Sequence, residues 1–365
     1  MPDADVRPPP AEVAEVREPP PEAGGGGGAE RARRRRWAGV PLVVAVLVLL
    51  LAELTVRVTH AHLAAPSAWP SPELQKKYDQ IVARESKHRP SDVVLVGDSM
   101  MDAAGDPEEL SADGAPASIY NASIAGETLP TIAQWTEKVV VPRLHPKVVV
   151  VGFSSNELNP ASLAAASGIF AYDHSRAVRA AEGDGDIVDR GDAFLRQWSY
   201  LYRYRTDLRH PLGQPAAPAF DPALTASGED LAFFDQHYLE GSALHVRQVI
   251  AGTIAALQGF RIGPQNVTIL ADLFTSLRKQ GISVLFVVMP VTSDLVGFHP
   301  HGTADYQNAV TAFKAIADDT GAQASVPGIW PTTDFADPVH LNGAGTALFS
   351  RYLAPLLRQN TGGGS

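Results

Sequence analysis

The sequence predicts an α/β domain whose central parallel sheet is covered by helices on both faces. Residues 147–153 and 282–289 are nearly unbroken aliphatic runs, which is typical of strands buried on both faces. Apolar strands alternate with helical segments through most of the chain, and this alternation favours parallel strands joined by helices. The first strand, 92–97, ends in a glycine and an aspartate. It would therefore deliver Ser99 to the carboxyl edge of the sheet, where such folds carry their sites.

Each element of this domain has a local signal in the sequence. The strands are short aliphatic runs, and two of the helices stop at Gly281 and Gly321. Residues 160–263 interrupt the alternation and form a predicted insertion. Within it, 192–210 places aromatic side chains at helical spacing, which suits either core packing or a lid over the site. Strands are predicted at 92–97, 118–121, 147–153, 282–289 and 322–326, and helices at 72–87, 129–141, 266–280, 303–320 and 343–357.

The N-terminal end of the chain carries the features of a membrane anchor. Residues 1–36 are rich in proline and glycine and end in an arginine cluster, so a disordered cytoplasmic tail is predicted. Residues 37–58 are almost uncharged and long enough to cross a bilayer, with Glu53 expected to reach water or pair with Arg57. The arginines before this span predict a cytoplasmic N-terminus and an extracytoplasmic domain. A cleaved signal peptide is the alternative, although no small-x-small cleavage site follows the span.

The remaining boundaries and the composition limit the functions that fit. Residues 59–90 are predicted to be a stalk, 91–358 the domain itself, and 359–365 a flexible tail. The formal net charge of −10 argues against a nucleic-acid partner. The chain has no cysteine, which excludes disulfides, thiolate catalysis and cysteine-ligated zinc. No cofactor or metal is expected, and His299 and His301 are interpreted as satisfied or exposed loop histidines.

The C-terminal sequence Asp337-Pro338-Val339-His340 complements Ser99. Serine is a poor nucleophile at neutral pH, and a histidine must take its proton before it can attack an acyl carbon. A carboxylate must in turn hold the imidazole in the right tautomer. Because Asp337 and His340 are three residues apart, one loop can present both side chains just before the terminal helix. The pattern predicts a Ser99–His340–Asp337 triad.

These motifs resemble those of the SGNH (GDSL-like) hydrolase superfamily over residues 91–358. The resemblance implies a flavodoxin-like three-layer α/β/α sandwich in which Ser99 is the nucleophile, with Asp337 and His340 completing the triad. A second family block is matched at 121–128, and it implies that the amides of Gly126 and Ser99 face the oxyanion.

The third block departs from the family pattern. The family reads Gly-x-Asn-Asp, whereas this chain reads Gly152-Phe153-Ser154-Ser155-Asn156-Glu157. Either the loop is longer and Asn156 still donates to the oxyanion, or Ser154 takes that place. Asn156 is preferred, because it is the only asparagine close by.

The layout also resembles the accessory proteins of cell-envelope acylation, such as the DltD-type and AlgJ/AlgX-type proteins. It implies a single-pass, extracytoplasmic serine esterase or O-acyltransferase that acts on acyl esters, in particular acetyl esters, of envelope glycans through an acyl-Ser99 intermediate. The expected partners are an acylated or acceptor cell-envelope polysaccharide, the membrane and a multispanning membrane-bound O-acyltransferase. The alternative is a non-catalytic glycan-binding protein on the same scaffold that recruits such an acyltransferase.

Overall fold

The computed structural model describes residues 40–60, 72–115, 118–162, 179–180, 183, 185–205, 208 and 243–362. The chain divides into two units, Met1–Thr59 and His60–Ser365. The predicted tail 1–36 and the first part of the predicted stalk, 61–71, lie outside the described residues. Most of the predicted insertion lies outside them as well.

The described part of the first unit is one apolar helix, α1 (Val40–Thr59). Its mean hydropathy reaches 2.3 over an 18-residue window, so it is long and apolar enough to cross a membrane by length and composition. The predicted Glu53–Arg57 pair is present at 4.0 Å, one helical turn apart. This helix is therefore a candidate membrane span.

The second unit alternates strands and helices. A π-helical turn, Thr136–Val140, joins two of its helices, and 3₁₀ turns lie at Ser155–Leu158 and Thr332–Asp334. In chain order its strands and helices are α2 (Pro72–Ser86), β1 (Val93–Gly97), α3 (Ser99–Ala104), α4 (Pro107–Ala112), β2 (Ile119–Asn121), α5 (Leu129–Trp135), α6 (Val141–Leu144), β3 (Val148–Phe153), α7 (Ile187–Trp198), α8 (Tyr200–Arg203), α9 (Ala243–Leu257), α10 (Pro264–Lys279), β4 (Ser283–Val288), α11 (Ser293–Gly297), α12 (Thr303–Thr320), β5 (Gln323–Ser325) and α13 (Gly343–Gly362).

The five strands form one parallel sheet in the order β2-β1-β3-β4-β5. Strands β1 and β3 are fully buried, as expected of strands covered on both faces. Helices α5 and α12 both pack against α10, whereas α3 and α4 both pack against α13. Right-handed crossovers put these two groups on opposite faces of the sheet. The predicted α/β sandwich with a central parallel sheet is confirmed, and its strand order is that of flavodoxin-like folds.

The predicted stalk is wrong for its second half. Helix α2 belongs to the domain, because Leu74 and Ile81 are fully buried in its hydrophobic core. Tyr120 of β2 donates from its hydroxyl to Gln80 of this helix at 3.0 Å. The domain therefore includes the described residues from 72 onward and does not begin at residue 91.

Two further boundaries differ from the sequence prediction. Helix α13 continues to Gly362, so residues 359–362 are helical and do not belong to a flexible tail. The single helix predicted at 192–210 is divided at Ser199, which ends α7 and whose hydroxyl caps α8 through the Tyr202 amide at 3.1 Å. Phe194 and Trp198 are exposed, so core packing, one of the two alternatives for this segment, does not apply to these two side chains.

Candidate active site

The turn after β1 brings Ser99 to the carboxyl edge of the sheet. Gly97 lies in register with Gly152 of β3, and a Cβ on Gly97 would lie 2.4 Å from the Gly152 carbonyl oxygen. Only glycine allows the two strands to approach this closely before the chain turns. Asp98 then caps α3, since its carboxylate accepts the Met100 amide at 2.9 Å. Ser99 is therefore fixed as the first residue of a helix.

Three side chains form a hydrogen-bonded chain at this edge. The His340 Nε2 atom lies 2.8 Å from Ser99 Oγ, and His340 Nδ1 lies 2.7 Å from Asp337 Oδ2. These are hydrogen-bond distances, and they put a base beside a hydroxyl and a carboxylate beside that base. The structure thus brings together all three residues of the sequence-predicted triad.

The loop that carries Asp337 holds this carboxyl group in its ionised form. Its Oδ1 atom accepts the backbone N–H groups of Val339 at 2.7 Å and His340 at 2.8 Å. Burial acts to raise the pKa of Asp337, but the hydrogen bond and charge of His340, together with the two amides, lower it overall. Thr292 anchors the same loop by donating to the Pro338 carbonyl at 2.8 Å. Asp337 is therefore a carboxylate that orients the imidazole.

Gly126 and Ser99 both line the cavity above the triad. Gly126 has a φ of +75°, which favours glycine, and a Cβ there would meet no atom within 4 Å. No hydrogen bond among the described residues uses the amide N–H of Gly126, and the Ser99 amide is the first of its helix and has no intrahelical partner. Both amides are thus available to an oxygen bound in the cavity.

The two candidates of the third block occupy different positions. Asn156 lines the cavity, whereas Ser154 is buried and donates its hydroxyl to Asn156 Oδ1. The Asn156 amide nitrogen donates to Glu157 Oε1 at 3.1 Å, which leaves its second N–H for a bound ligand. Of the two, Asn156 has the cavity position that an oxyanion donor requires, and Ser154 orients it.

Three buried carboxyl groups line the same cavity, and the sequence analysis assigned none of them to the site. Burial, the largest cause in each case, raises the pKa of Asp98 to about 6 and those of Glu127 and Glu157 to about 8. Glu157 also accepts the Leu129 amide at 2.9 Å. Glu127 and Glu157 are therefore largely neutral at pH 7, which avoids placing two negative charges beside a developing oxyanion.

A second buried network lies beside Ser99 on helix α3. Lys77 of α2 is 1 % exposed and contacts Asp102 Oδ1, the Ser123 carbonyl and, at 3.4 Å, Glu73 Oε1. Glu73 accepts the Ala125 amide at 3.1 Å, next to Gly126 in the chain. No local sequence pattern pointed to this network, because its lysine lies in the segment interpreted as a stalk.

The two histidines that follow β4 are not part of the triad. His299 is buried and shares a hydrogen bond with Ser155 Oγ at 2.9 Å, and its ring packs edge-on against Phe260. Burial lowers the pKa of His299. His301 is exposed and lies 3.2 Å from Asp305. One is a satisfied core histidine and the other an exposed loop residue, as the sequence indicated.

The cavity above Ser99 has a volume of about 360 Å³, within the range of small-molecule sites. The described residues include no group of three or more histidine, cysteine or acidic residues that could hold a metal ion. The lining residues are Asp98, Ser99, Met100, Gly126, Glu127, Thr128, Asn156, Glu157, Ser162, Val249, Gly252, Thr253, Ala256, Leu257, Leu295, Val339 and His340.

Solved structures that are similar to this chain include TesA, a GDSL-like lipase and a carbohydrate acetylesterase family member. TesA is 12% identical to this chain, covering 73% of it and 98% of its own length, with a TM-score of 0.36. A GDSL-like lipase from Bacteroides thetaiotaomicron is 10% identical, covering 78% and 98%, with a TM-score of 0.37. A carbohydrate acetylesterase family member from Sinorhizobium meliloti is 14% identical, covering 74% and 99%, with a TM-score of 0.33.

No protein-family model and no curated protein matches this sequence. The TM-scores to the solved structures are below 0.5, so assignment of the fold rests on the sheet order and register of this chain. Assignment of the site rests on the distances between Ser99, His340 and Asp337.

Proposed function

We propose that this protein is a serine acyl-ester enzyme of the SGNH type that forms an acyl intermediate on Ser99. The observation that carries the proposal is the continuous hydrogen-bonded chain from Asp337 through His340 to Ser99, at 2.7 and 2.8 Å. This arrangement supplies a nucleophile, a base and an orienting carboxylate. It stands at the floor of a cavity large enough for a small ester.

The reaction follows from these positions. Ser99 Oγ attacks the acyl carbon while His340 Nε2 takes the hydroxyl proton, and the carbonyl oxygen becomes an oxyanion. The tetrahedral intermediate collapses, the bond to the alcohol oxygen breaks, and His340 gives its proton to the departing alcohol. A water molecule or a sugar hydroxyl then loses a proton to His340 and attacks acyl-Ser99. The products are a carboxylic acid or a new ester, and Ser99 regains its proton.

The oxyanion would be stabilised by the amides of Ser99 and Gly126 and by the Asn156 side chain. Glu157 assists by holding the Asn156 amide nitrogen at 3.1 Å, while Ser154 holds its oxygen. Because Glu127 and Glu157 are largely protonated at pH 7, they would not oppose the developing charge. The cavity thus combines three donors with two buried carboxyl groups that stay largely neutral.

The N-terminal features support an anchored, extracytoplasmic enzyme. Helix α1 has the length and hydropathy of a membrane span, and the arginines before it favour a cytoplasmic N-terminus. An enzyme held there meets envelope glycans, so we take an acylated or acceptor cell-envelope polysaccharide as the substrate class. A multispanning membrane-bound O-acyltransferase is the proposed protein partner.

The polar side of the cavity favours an alcohol partner that carries hydroxyl groups. Within the described residues, neither Glu127 Oε2 nor Thr128 Oγ1 has a hydrogen-bond partner, and both residues line the cavity beside Gly126. Unpaired buried polar atoms are costly unless a ligand or water satisfies them. A sugar hydroxyl would supply the missing partner in either the leaving or the accepting alcohol.

The experiment uses full-length protein purified in detergent. A fluorophosphonate probe should label the wild type and fail to label Ser99→Ala, and an aryl acetate should be hydrolysed by the wild type alone. Adding an oligosaccharide acceptor then separates the two outcomes, because transfer yields an acylated sugar whereas hydrolysis yields free acid. Persistent labelling or full activity in Ser99→Ala would favour the non-catalytic glycan-binding alternative.

A further inference from the structure

The cavity above Ser99 is lined by two unlike sets of residues. One set carries the polar groups of Glu127, Asn156, Glu157 and His340. The other set is apolar and comes from one face of helix α9, from helices α3 and α11, and from the loop before His340. The side chains of this apolar half of the lining are Met100, Val249, Ala256, Leu257, Leu295 and Val339.

Helix α9 presents one consistent face to this half. Its cavity-lining positions Val249, Gly252, Thr253 and Ala256 recur at intervals of three and four, so they share one side of the helix. Ala255 is exposed to solvent and does not line the cavity. The α9 residues that line the cavity therefore form one defined face of the helix.

The hydroxyl donors of this wall are already used. The Thr253 hydroxyl donates to the Val249 carbonyl at 2.8 Å. The Ser162 hydroxyl donates to the Asn159 carbonyl at 2.7 Å. No lining residue of α9 is charged or aromatic. A sugar ring would find few hydrogen-bond partners along such a wall, whereas a hydrocarbon chain has no polar group to leave unpaired.

The wall is also attached firmly to the loop that carries Asn156. The Asn159 side chain donates to the Ala256 carbonyl at 2.7 Å, and Leu257 is fully buried in the core. These contacts fix the apolar wall relative to the third-block loop. A ligand group lying along α9 would therefore keep a fixed position relative to the donor of the predicted oxyanion hole.

The volume exceeds what the acyl part of an acetyl ester needs. At about 30 Å³ for each water-sized group, a cavity of about 360 Å³ holds on the order of a dozen non-hydrogen atoms. The acyl part of an acetyl ester contributes only about three of them. The remaining space lies partly along the apolar wall, where methylene groups would be buried from water.

We infer that the α9 face of the cavity is an acyl-chain pocket, and that the preferred ester carries an unbranched acyl group of several methylenes instead of acetyl. This inference rests on the proposed serine esterase or acyltransferase function. The carbonyl group sits at Ser99, the alcohol lies towards Glu127 and Thr128, and the chain runs along Val249 and Ala256. Ala256 and Gly252 set the chain length, because larger side chains at these positions would occupy the pocket.

The test measures kcat/KM of full-length, detergent-solubilised protein on p-nitrophenyl acetate, butyrate and octanoate. The wild type should prefer octanoate to acetate by about tenfold or more, since each buried methylene can contribute roughly that much. Ala256→Leu should lower the octanoate-to-acetate ratio by about tenfold. Gly252→Leu is a second variant with little risk to folding, because a Cβ at Gly252 meets no atom within 4 Å.

Ala255→Leu is the matched control, since it adds the same atoms one residue away on the exposed face of α9, and it should leave the ratio unchanged. A wild type that prefers acetate, or an equal change of ratio in Ala255→Leu and Ala256→Leu, would overturn the acyl-pocket inference while leaving the serine-enzyme proposal intact. Absence of hydrolysis of every ester, together with absence of fluorophosphonate labelling, would instead overturn the proposed function itself.

Discussion

The short helix α3 links two hydrogen-bonded networks that differ in kind. Its first residue, Ser99, belongs to the triad with His340 and Asp337, which opens onto the cavity. Three residues later, Asp102 meets Lys77 in a network that is buried on all sides. In the triad, Ser99 and His340 exchange a proton during the proposed reaction, whereas in the second network the buried Lys77 ammonium holds two buried carboxyl groups.

The two ends of α3 therefore contribute to different properties of the protein, one to turnover and the other to stability. When one partner of a charge pair shielded from water is removed, the folded protein is strongly destabilised. A triad residue at a cavity wall is held mainly for its chemistry, so its removal affects the rate far more than the fold. Variants of the two networks should therefore separate cleanly into effects on turnover and effects on the free energy of unfolding.

The largest expected effect is on turnover. Ser99→Ala and His340→Ala should each lower kcat by at least about 10⁴-fold, because either change removes the nucleophile–base pair. The double variant should be little slower than either single variant, since the two residues act as a unit. Ester hydrolysis by the purified full-length protein measures these rates.

Ser99→Ala should leave the urea midpoint of unfolding nearly unchanged, because it removes only a hydroxyl group at the cavity wall. A double variant whose kcat is lowered by the product of the two single-variant factors would contradict the triad interpretation, because the two residues would then act independently. Asp337→Asn should be less damaging than the loss of His340, since it keeps the base and changes its orientation.

The positions of the three predicted triad residues could be inferred from the sequence because each of them has a local signal. Ser99 follows an unbroken aliphatic strand, and Asp337 and His340 lie three residues apart before a helix. Parallel strands place their carboxyl ends at one edge, so strand position alone brings distant motifs together. The same logic placed Gly126 and Asn156 at the cavity, and both line it.

The Lys77 network could not be predicted in this way. Lysine four residues after glutamate on a helix is usually a solvated surface pair, and nothing in 72–87 distinguishes Glu73 and Lys77 from such a pair. Their burial arises from the packing of α2 against the domain, which depends on Leu74 and Ile81 finding the core. The raised pKa of Glu157 has the same origin, because burial is a property of the assembled fold.

The second prediction concerns the buried lysine. Lys77→Met should lower the free energy of unfolding by about 3–5 kcal/mol, because it leaves Asp102 and Glu73 buried without their cation. Combining it with Asp102→Asn should restore part of the loss, since it removes one of the two buried carboxyl groups left without their partner. Urea unfolding measures both changes.

Lys76→Met is the matched control, because Lys76 is the neighbouring lysine and is not fully buried. It should change stability by less than about 0.5 kcal/mol. Equal losses of unfolding free energy in Lys76→Met and Lys77→Met would mean that the Lys77 network does not hold α2 to α3.

The third prediction separates the two candidates of the third block. Asn156→Ala should lower kcat by about 10²–10³-fold with little change in KM, as expected for the loss of a donor used mainly in the transition state. Ser154→Ala should have a smaller effect, because Ser154 contacts Asn156 and does not line the cavity. The reverse order of effects would move the oxyanion role to Ser154.

The smallest expected effect concerns Glu157 and has a defined dependence on pH. Burial raises the pKa of Glu157 to about 8 in the folded protein, from its ordinary value of about 4.5 in the unfolded chain. Between these values the folded state binds more protons than the unfolded state, so stability is lost as pH rises from about 5 to about 8. Glu157→Gln removes this group and should make the slope of the unfolding free energy against pH less steep by up to about 1.4 kcal/mol per pH unit.

Because the Glu157→Gln variant also removes an acceptor for Asn156, the comparison uses this slope and not the unfolding free energy at one pH. Parallel slopes for the wild type and Glu157→Gln would show that Glu157 is already ionised at neutral pH, and the cavity would then carry the negative charge that the proposed oxyanion site must avoid.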